Sequence, residues 1–194
     1  MSIYKPAIGI DIDGVIGDSD KVFRKYIKKY LGINLRREDV KDFYYEKVLG
    51  IPENEMKNFW KRIDEEKRWL EIEILPGAKT ALKYLKEKYQ IIIITARPKN
   101  IRNLTEEWIS KNQIYYDRLY FIEEHKGESK LSAILANSIN LKCFIEDRID
   151  FALDFIKEGI KVILFDYPWN RIEKNIDSEL LIRVKGWQEA LSYL

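Results

Sequence analysis

Asp11 and Asp13 stand one residue apart at the end of a short apolar run, Ile8-Gly9-Ile10-Asp11-Ile12-Asp13-Gly14-Val15. Side chains two positions apart on a strand share a face, so a pleat kept through Asp13 aims both carboxylates the same way. Aimed together they repel, and each resists ionisation unless a cation lies between them. Carboxylate oxygens suit Mg²⁺, which takes one or two of them and fills its other positions with water and phosphate oxygens. Asp-Gly is also a turn signal, and a plain hairpin is the competing reading.

Further candidates close other apolar runs. Ile91-Ile92-Ile93-Ile94 ends in Thr95-Ala96-Arg97-Pro98, where a hydroxyl and the amides of the next turn would hold a phosphate oxygen. The plain alternative is that Thr95 caps the following segment. Cys143-Phe144-Ile145 ends in Glu146-Asp147-Arg148, which delivers acidic groups to the same sheet edge or forms a solvated turn. Lys126 and Lys130 flank the start of a helical stretch. Either would neutralise a phosphate and hold a carboxylate nucleophile, although most lysines are solvated surface. Asp18 reads as a helix cap, and Arg97 as a substrate contact or a local ion pair. Arg148 reads as a partner that orients Asp147 or as a solvated side chain. His125, the only histidine, lies in a charged loop and reads as solvated rather than catalytic.

These residues need elements that bring them together. Strands are expected at Ala7–Asp11, Ile91–Thr95, Leu119–Ile122, Cys143–Ile145 and Val162–Phe165. Helices are expected at Gly77–Lys88, Asn103–Lys111, Lys130–Asn137 and Phe151–Glu158, with Pro76 opening the first and Gly159 closing the last. Continuous apolar strands imply burial on both faces, as in a parallel sheet covered by helices. The predicted class is α/β, a three-layer Rossmann-like sheet, whose ligands gather at the carboxyl ends of the strands. The stretch from Asp18 to Pro76 breaks the alternation. Lys21–Tyr30 and Glu55–Trp69 have helical apolar spacing, and Ile51-Pro52-Glu53-Asn54 marks the start of the second. Residues 1–18 and 76–194 therefore form the expected core, and 19–75 a small helical cap over the strand ends.

Composition narrows the classes. Lys and Arg total 34 against 32 Asp and Glu, and a net charge of +2 argues against a polymeric nucleic-acid partner. Apolar residues at 46% exclude disorder. No run of about 18 apolar residues suggests a membrane span. The single cysteine, Cys143, lies in an apolar run and reads as core; lacking a partner for a disulfide, the chain fits a reducing, cytoplasmic setting.

The order Asp-x-Asp-Gly-Val, strand–Thr, Lys, strand–acidic pair resembles the haloacid dehalogenase superfamily. Leu75-Pro76-Gly77-Ala78, Ile94-Thr95-Ala96-Arg97-Pro98, Phe144-Ile145-Glu146-Asp147-Arg148 and Leu164-Phe165-Asp166-Tyr167-Pro168-Trp169-Asn170 are similar to its 5′(3′)-deoxyribonucleotidase-like branch. The resemblance implies that Asp11 is a nucleophile forming an aspartyl-phosphate and that Asp13 is the general acid and base. It implies Mg²⁺ held by Asp11, Asp147 and the backbone carbonyl of Asp13. Thr95 would bind the phosphoryl group, with Gly14 and Val15 supplying nearby amides. Lys130 is favoured over Lys126 as the active-site lysine. Glu146 departs from the aspartate common at its position and is expected outside the direct ligand set.

Substrate choice falls to the cap. Phe43-Tyr44-Tyr45, Phe59-Trp60 and Trp69 supply aromatic planes. A nucleobase stacked on one of them would gain about 1–3 kcal/mol; the competing reading makes the rings the cap's own core. Substrate contacts are expected from Gly14, Ala96, Arg97, Tyr44 and Trp60. The expected activity is Mg²⁺-dependent hydrolysis of a nucleoside monophosphate. The same chemistry on a sugar phosphate and a non-catalytic binding protein on this fold are the alternatives, and a homodimer is compatible with the aromatic cap.

Overall fold

The computed structural model describes residues 5–171 and 178–194, so residues 1–4 and 172–177 of the expected core range lie outside it. Six strands, β1 (Ala7–Ile10), β2 (Gln90–Thr95), β3 (Arg118–Phe121), β4 (Leu141–Glu146), β5 (Lys161–Phe165) and β6 (Leu181–Val184), form one sheet. All neighbours pair in parallel, in the order β3-β2-β1-β4-β5-β6. Ile91 and Ile93 pack into one buried cluster, and Ile92 and Ile94 into another. Four successive isoleucines are thus buried by alternation, which requires both faces to be covered.

Helices α1 (Ser19–Leu31), α2 (Tyr45–Leu49) and α3 (Glu53–Glu65) lie between β1 and β2. Helices α4 (Ala78–Lys88) and α5 (Arg102–Lys111) cover one sheet face, through residues such as Leu82, Leu85 and Trp108. Helices α6 (Lys130–Ala136) and α7 (Ile149–Lys157) cover the other, through Ile134, Phe151 and Phe155. The short α8 (Trp187–Ala190) joins the face of α4. The expected α/β class and parallel sheet are therefore observed.

The sixth strand is absent from the sequence expectation. It is four residues long, carries Arg183, lies at the sheet edge, and buries only Val184, so its apolar pattern is weak. The expected helix over Glu55–Trp69 also divides. α3 stops at Glu65, Lys67 adopts a left-handed φ of 54°, and Arg68–Glu71 forms a 3₁₀ turn. That turn brings Trp69 against Phe23, with ring centroids 5.2 Å apart.

Both ends of the helical insertion are tied together. Leu75 N donates to Ile16 O at 2.9 Å, and Asp18 N donates to Glu73 O at 2.8 Å. Trp108 Nε1 donates to Ile72 O at 2.8 Å, fixing the segment that leaves the insertion to α5. Val22, Phe23, Ile27, Met56, Phe59 and Ile63 belong to the same continuous core as Ile91 and Trp108, so the insertion is packed onto the sheet layer. Asp18 caps α1, its carboxylate accepting from Lys21 N at 3.3 Å. Among the described residues, no helix is long and apolar enough to cross a membrane.

Candidate active site

β1 is central, with β2 and β4 hydrogen-bonded on either side. Residues at the carboxyl ends of these three strands therefore lie along one sheet edge, which is how sequence-distant Asp11, Glu146 and Asp147 meet, with Thr95 ending the neighbouring β2. Asp11 follows β1 directly, its N–H donating to Ile145 O at 3.0 Å. Ile12 N donates to Asp11 Oδ1 at 2.7 Å. The chain then turns tightly: Ile12 O accepts from Ile16 N at 2.8 Å and Gly17 N at 2.9 Å. Gly14 takes a φ of +72°, and a Cβ there would lie 2.2 Å from Asp147 Oδ2. Both the turn and the close approach of Asp147 demand glycine.

Lys130 opens α6 behind its cap Ser129, whose side chain accepts from Ser132 N at 3.0 Å. The lysine is fully buried, with Nζ 2.7 Å from Asp11 Oδ2 and 2.7 Å from Glu146 Oε2. Burial opposes its charge, but Asp11 and Glu146 outweigh that cost and raise its pKa. Lys126 is exposed and pairs with Glu123 at 2.9 Å, away from this cluster. Glu146 is fully buried; its second oxygen accepts from Asp147 N and Arg148 N, each at 3.1 Å. Its carboxylate is spoken for by the lysine and the backbone.

Asp11, Glu146 and Asp147 present carboxylate oxygens all within 4.8 Å of one another. Burial pushes the Asp11 carboxyl up to about 7 against the pull of Lys130, with Glu146 and Asp13 adding to the rise. Burial, then Glu146 and Asp11, push Asp147 well above the usual carboxylate range. Asp147 Oδ2 accepts from Trp169 Nε1 at 3.0 Å, whereas Oδ1 is buried with no partner. Three carboxylates face one ammonium, and one oxygen is orphaned. A hard divalent cation with oxygen preference fits this donor set.

Asp13 does not share its side chain with that cluster. Arg97 holds it with Nε on Oδ2 and Nη2 on Oδ1, both at 2.8 Å. The guanidinium lies 4.9 Å from the Trp69 ring and 5.2 Å from the Trp108 ring. Arg97 thus forms the local ion pair that is one of its two sequence readings, and it also lines the cavity above the carboxylates. Thr95 is fully buried, and its Oγ1 accepts from Arg97 N at 3.1 Å. Arg148 neither orients the Asp147 carboxylate nor faces water. It is buried, bonds Glu124 at 2.8 and 2.7 Å, and stacks 4.1 Å from Phe43. Tyr44 Oη donates to the same Glu124 at 3.0 Å. His125 is exposed. Burial pushes the Cys143 thiol up to about 12, which leaves it a core residue.

A cavity of about 340 Å³ opens above the carboxylates and includes Asp11, Asp13, Ala96, Arg97 and Asp147 in its lining. Phe23, Tyr44, Tyr45, Trp60 and Trp69 wall its far side. Phe23 packs edge-on against Trp60 and Trp69 at 4.9 and 5.2 Å, so these rings pack together and face the cavity at once. Met56, Phe59 and Ile63 are buried in the insertion's interior instead. Sequence reasoning gave Trp169, Asn170 and Glu124 no part here. The first two lay inside a motif quoted only for resemblance, and Glu124 carries no local signal.

The family model for "5' nucleotidase, deoxy (Pyrimidine), cytosolic type C protein" matches residues 5–194. The Bacillus subtilis protein YqfW, named as a nucleotidase, is 34% identical over 188 residues, which is 96% of this chain and 92% of that protein. Nucleotidase CA_C3379 of Clostridium acetobutylicum is 30% identical, covering 94% of this chain and 90% of its own length. Among solved structures, the haloacid dehalogenase-like family protein SP0104 of Streptococcus pneumoniae superposes with a TM-score of 0.69. It covers 97% of this chain and 98% of its own at 18% identity, a likeness of fold.

Proposed function

The chain belongs to the 5′ nucleotidase, deoxy (pyrimidine), cytosolic type C family, and on that premise we propose that it is a cytoplasmic, Mg²⁺-dependent enzyme acting on nucleoside monophosphates. It is a hydrolase of phosphoric monoesters on the haloacid dehalogenase fold. The carrying observation is the buried Asp11–Lys130–Glu146–Asp147 cluster at the floor of an aromatic-walled cavity. Asp11 and Asp147, with the backbone carbonyl of Asp13, would hold the cation. When bound, Mg²⁺ offsets the charge of the phosphoryl oxygens as a carboxylate approaches them.

The chain's own groups then divide the work. Asp11 forms a bond to phosphorus as the ester oxygen leaves, giving an aspartyl-phosphate. Asp13 gives that oxygen its proton, then takes one from the water whose attack on phosphorus restores Asp11 and releases phosphate. Both Asp13 oxygens are bonded to Arg97, so it must release one to reach the leaving group. Lys130 fixes the Asp11 carboxylate, and Glu146 fixes Lys130. On this reading the Thr95 hydroxyl and Ala96 hold the phosphoryl group beside the Gly14 turn, and a base stacks on Trp60 and Tyr44, which with Ala96 line the cavity.

The test is phosphate release from a panel of mononucleotides and sugar phosphates, with and without Mg²⁺. The expected result is metal-dependent release concentrated on mononucleotides. Release spread evenly over sugar phosphates, or none, overturns the nucleotide reading.

A further inference from the structure

Asp147 is gripped from one short turn. Pro168–Asn170 forms a 3₁₀ turn after β5, and Trp169 Nε1 donates to Asp147 Oδ2 at 3.0 Å. Asn170, fully buried, donates through Nδ2 to Asp147 O at 2.6 Å and to Phe165 O at 2.7 Å. Arg183 of β6 holds Asn170 in turn, at Oδ1 and at O, both 2.7 Å. The Trp169 ring is stacked on Tyr167 at 4.3 Å with an 11° interplanar angle, which removes its freedom to swing. The result is a carboxylate with one oxygen occupied by a fixed donor and the other, Oδ1, buried and unpartnered.

Resting on the metal reading above, we propose that Trp169 is a positioning residue that restricts Asp147 to one-oxygen ligation and so selects a small cation over a large one. Mg²⁺ demands near-octahedral geometry and accepts single carboxylate oxygens, whereas Ca²⁺ takes six to eight ligands and readily uses both oxygens of a carboxylate. An indole N–H on Oδ2 costs a two-oxygen ligand its second contact. The strand missed by sequence patterning thereby gains a purpose, because Arg183 on it anchors the turn that carries the indole.

The experiment is isothermal titration of Mg²⁺ and, separately, Ca²⁺ into metal-free wild type and Trp169→Phe, which keeps a ring and loses the N–H. Loss of such a partner typically weakens metal binding about 10–100-fold. That loss is expected for Mg²⁺, with Ca²⁺ affinity held or improved. Equal weakening for both ions, or no change in either, overturns the proposal and leaves Trp169 a packing residue. A melting curve in EDTA confirms that the variant folds. Should it not fold, ¹⁵N-indole spectra of wild type answer the same question. The Trp169 signal is expected to keep its hydrogen-bonded shift with Mg²⁺ and lose it with Ca²⁺; the same shift with both ions overturns the proposal. Asp147→Asn separates the premises: unchanged Mg²⁺ binding in that variant removes the metal reading itself.

Discussion

Lys130→Met removes one positive charge from beneath two carboxylates and keeps most of the apolar stem. The lysine is inaccessible to solvent and sits 2.7 Å from both Asp11 and Glu146. Removing one partner of a buried ion pair costs about 3–5 kcal/mol, because the other charge is left uncompensated. Met fills a similar volume, so cavity formation adds little. Asp11 has a route to neutrality, since burial already lifts its carboxyl to about 7. The expected loss in EDTA therefore lies at the low end, about 3 kcal/mol, a fall in Tm of about 6–12 °C at this chain length.

A second substitution tests the cause. Glu146→Gln in the Lys130→Met background removes an orphaned charge, and should return about 1 kcal/mol or more. On the proposed roles, turnover should stay about 10²–10³-fold below wild type in both, because the charge that holds the Asp11 carboxylate is gone. Urea unfolding and phosphate release measure the two effects. Lys126→Met, at an exposed pair with Glu123, is the control and should stay within about 0.5 kcal/mol of wild type. A Lys130→Met protein within about 1 kcal/mol of wild type, or further damage from Glu146→Gln, would refute the electrostatic reasoning.

Asp11→Asn keeps the shape and the bond from Ile12 N but removes the proposed nucleophile. Turnover should vanish while Tm in EDTA holds or rises, since one buried negative charge is gone; substantial residual turnover would take Asp11 out of that role. Gly14→Ala forces an alanine into φ +72° and a Cβ to 2.2 Å from Asp147 Oδ2. It should cost about 1–3 kcal/mol by thermal melting and weaken Mg²⁺ titration, with wild-type values in both refuting the steric argument. Glu71 accepts from Tyr26 at 2.6 Å, Arg68 at 2.7 Å and Lys25 at 2.8 Å. Burial raises its carboxyl, but these three contacts prevail and hold it at about 2, below the ordinary 4.5. A lowered folded value stabilises above the unfolded one and loses that stabilisation as pH falls. The stability gap between wild type and Glu71→Gln should thus be full at pH 7 and close between about pH 5 and pH 2. A gap unchanged at pH 3 would contradict it.

What was legible in the chain followed from strong local signals. Ile91–Ile94 announced a strand buried on both faces, and Asp11, Thr95 and Asp147 were found by asking what stood at strand ends. The choice of Lys130 over Lys126 turned on which one opens the helix behind Ser129. The missed parts share a physical cause, in that long-range partners decide them. Arg183 looks like an interruption in β6 until Asn170 is seen to need it. Arg148 looks solvent-bound until Glu124, Asp150 and Phe43 close around it. Lys67 gives no warning of its left-handed φ, which nonetheless ends α3 and turns Trp69 inward.

The charge balance links the floor of the cavity to its walls. Arg97 cancels Asp13, while Arg148 pairs with both Glu124 and Asp150 and leaves one negative charge on that wall. Ionised together, Asp11, Glu146 and Asp147 would set three negative charges against Lys130 and leave two over, a state that burial opposes until a cation is bound. A divalent cation brings that floor to neutrality and no further. A phosphomonoester dianion therefore meets little net attraction there, and contacts remote from phosphorus must supply much of its hold. Binding energy from such remote contacts is what an enzyme spends on orientation at the reacting centre. The packed rings of Phe23, Tyr45, Trp60 and Trp69, with Phe43 and Tyr44 also in the lining, give the cavity a large aromatic surface able to supply it. A flat base offers those rings a stacking partner and a bare sugar does not, so selectivity in the substrate panel should sit in the insertion while the chemistry sits at the strand ends.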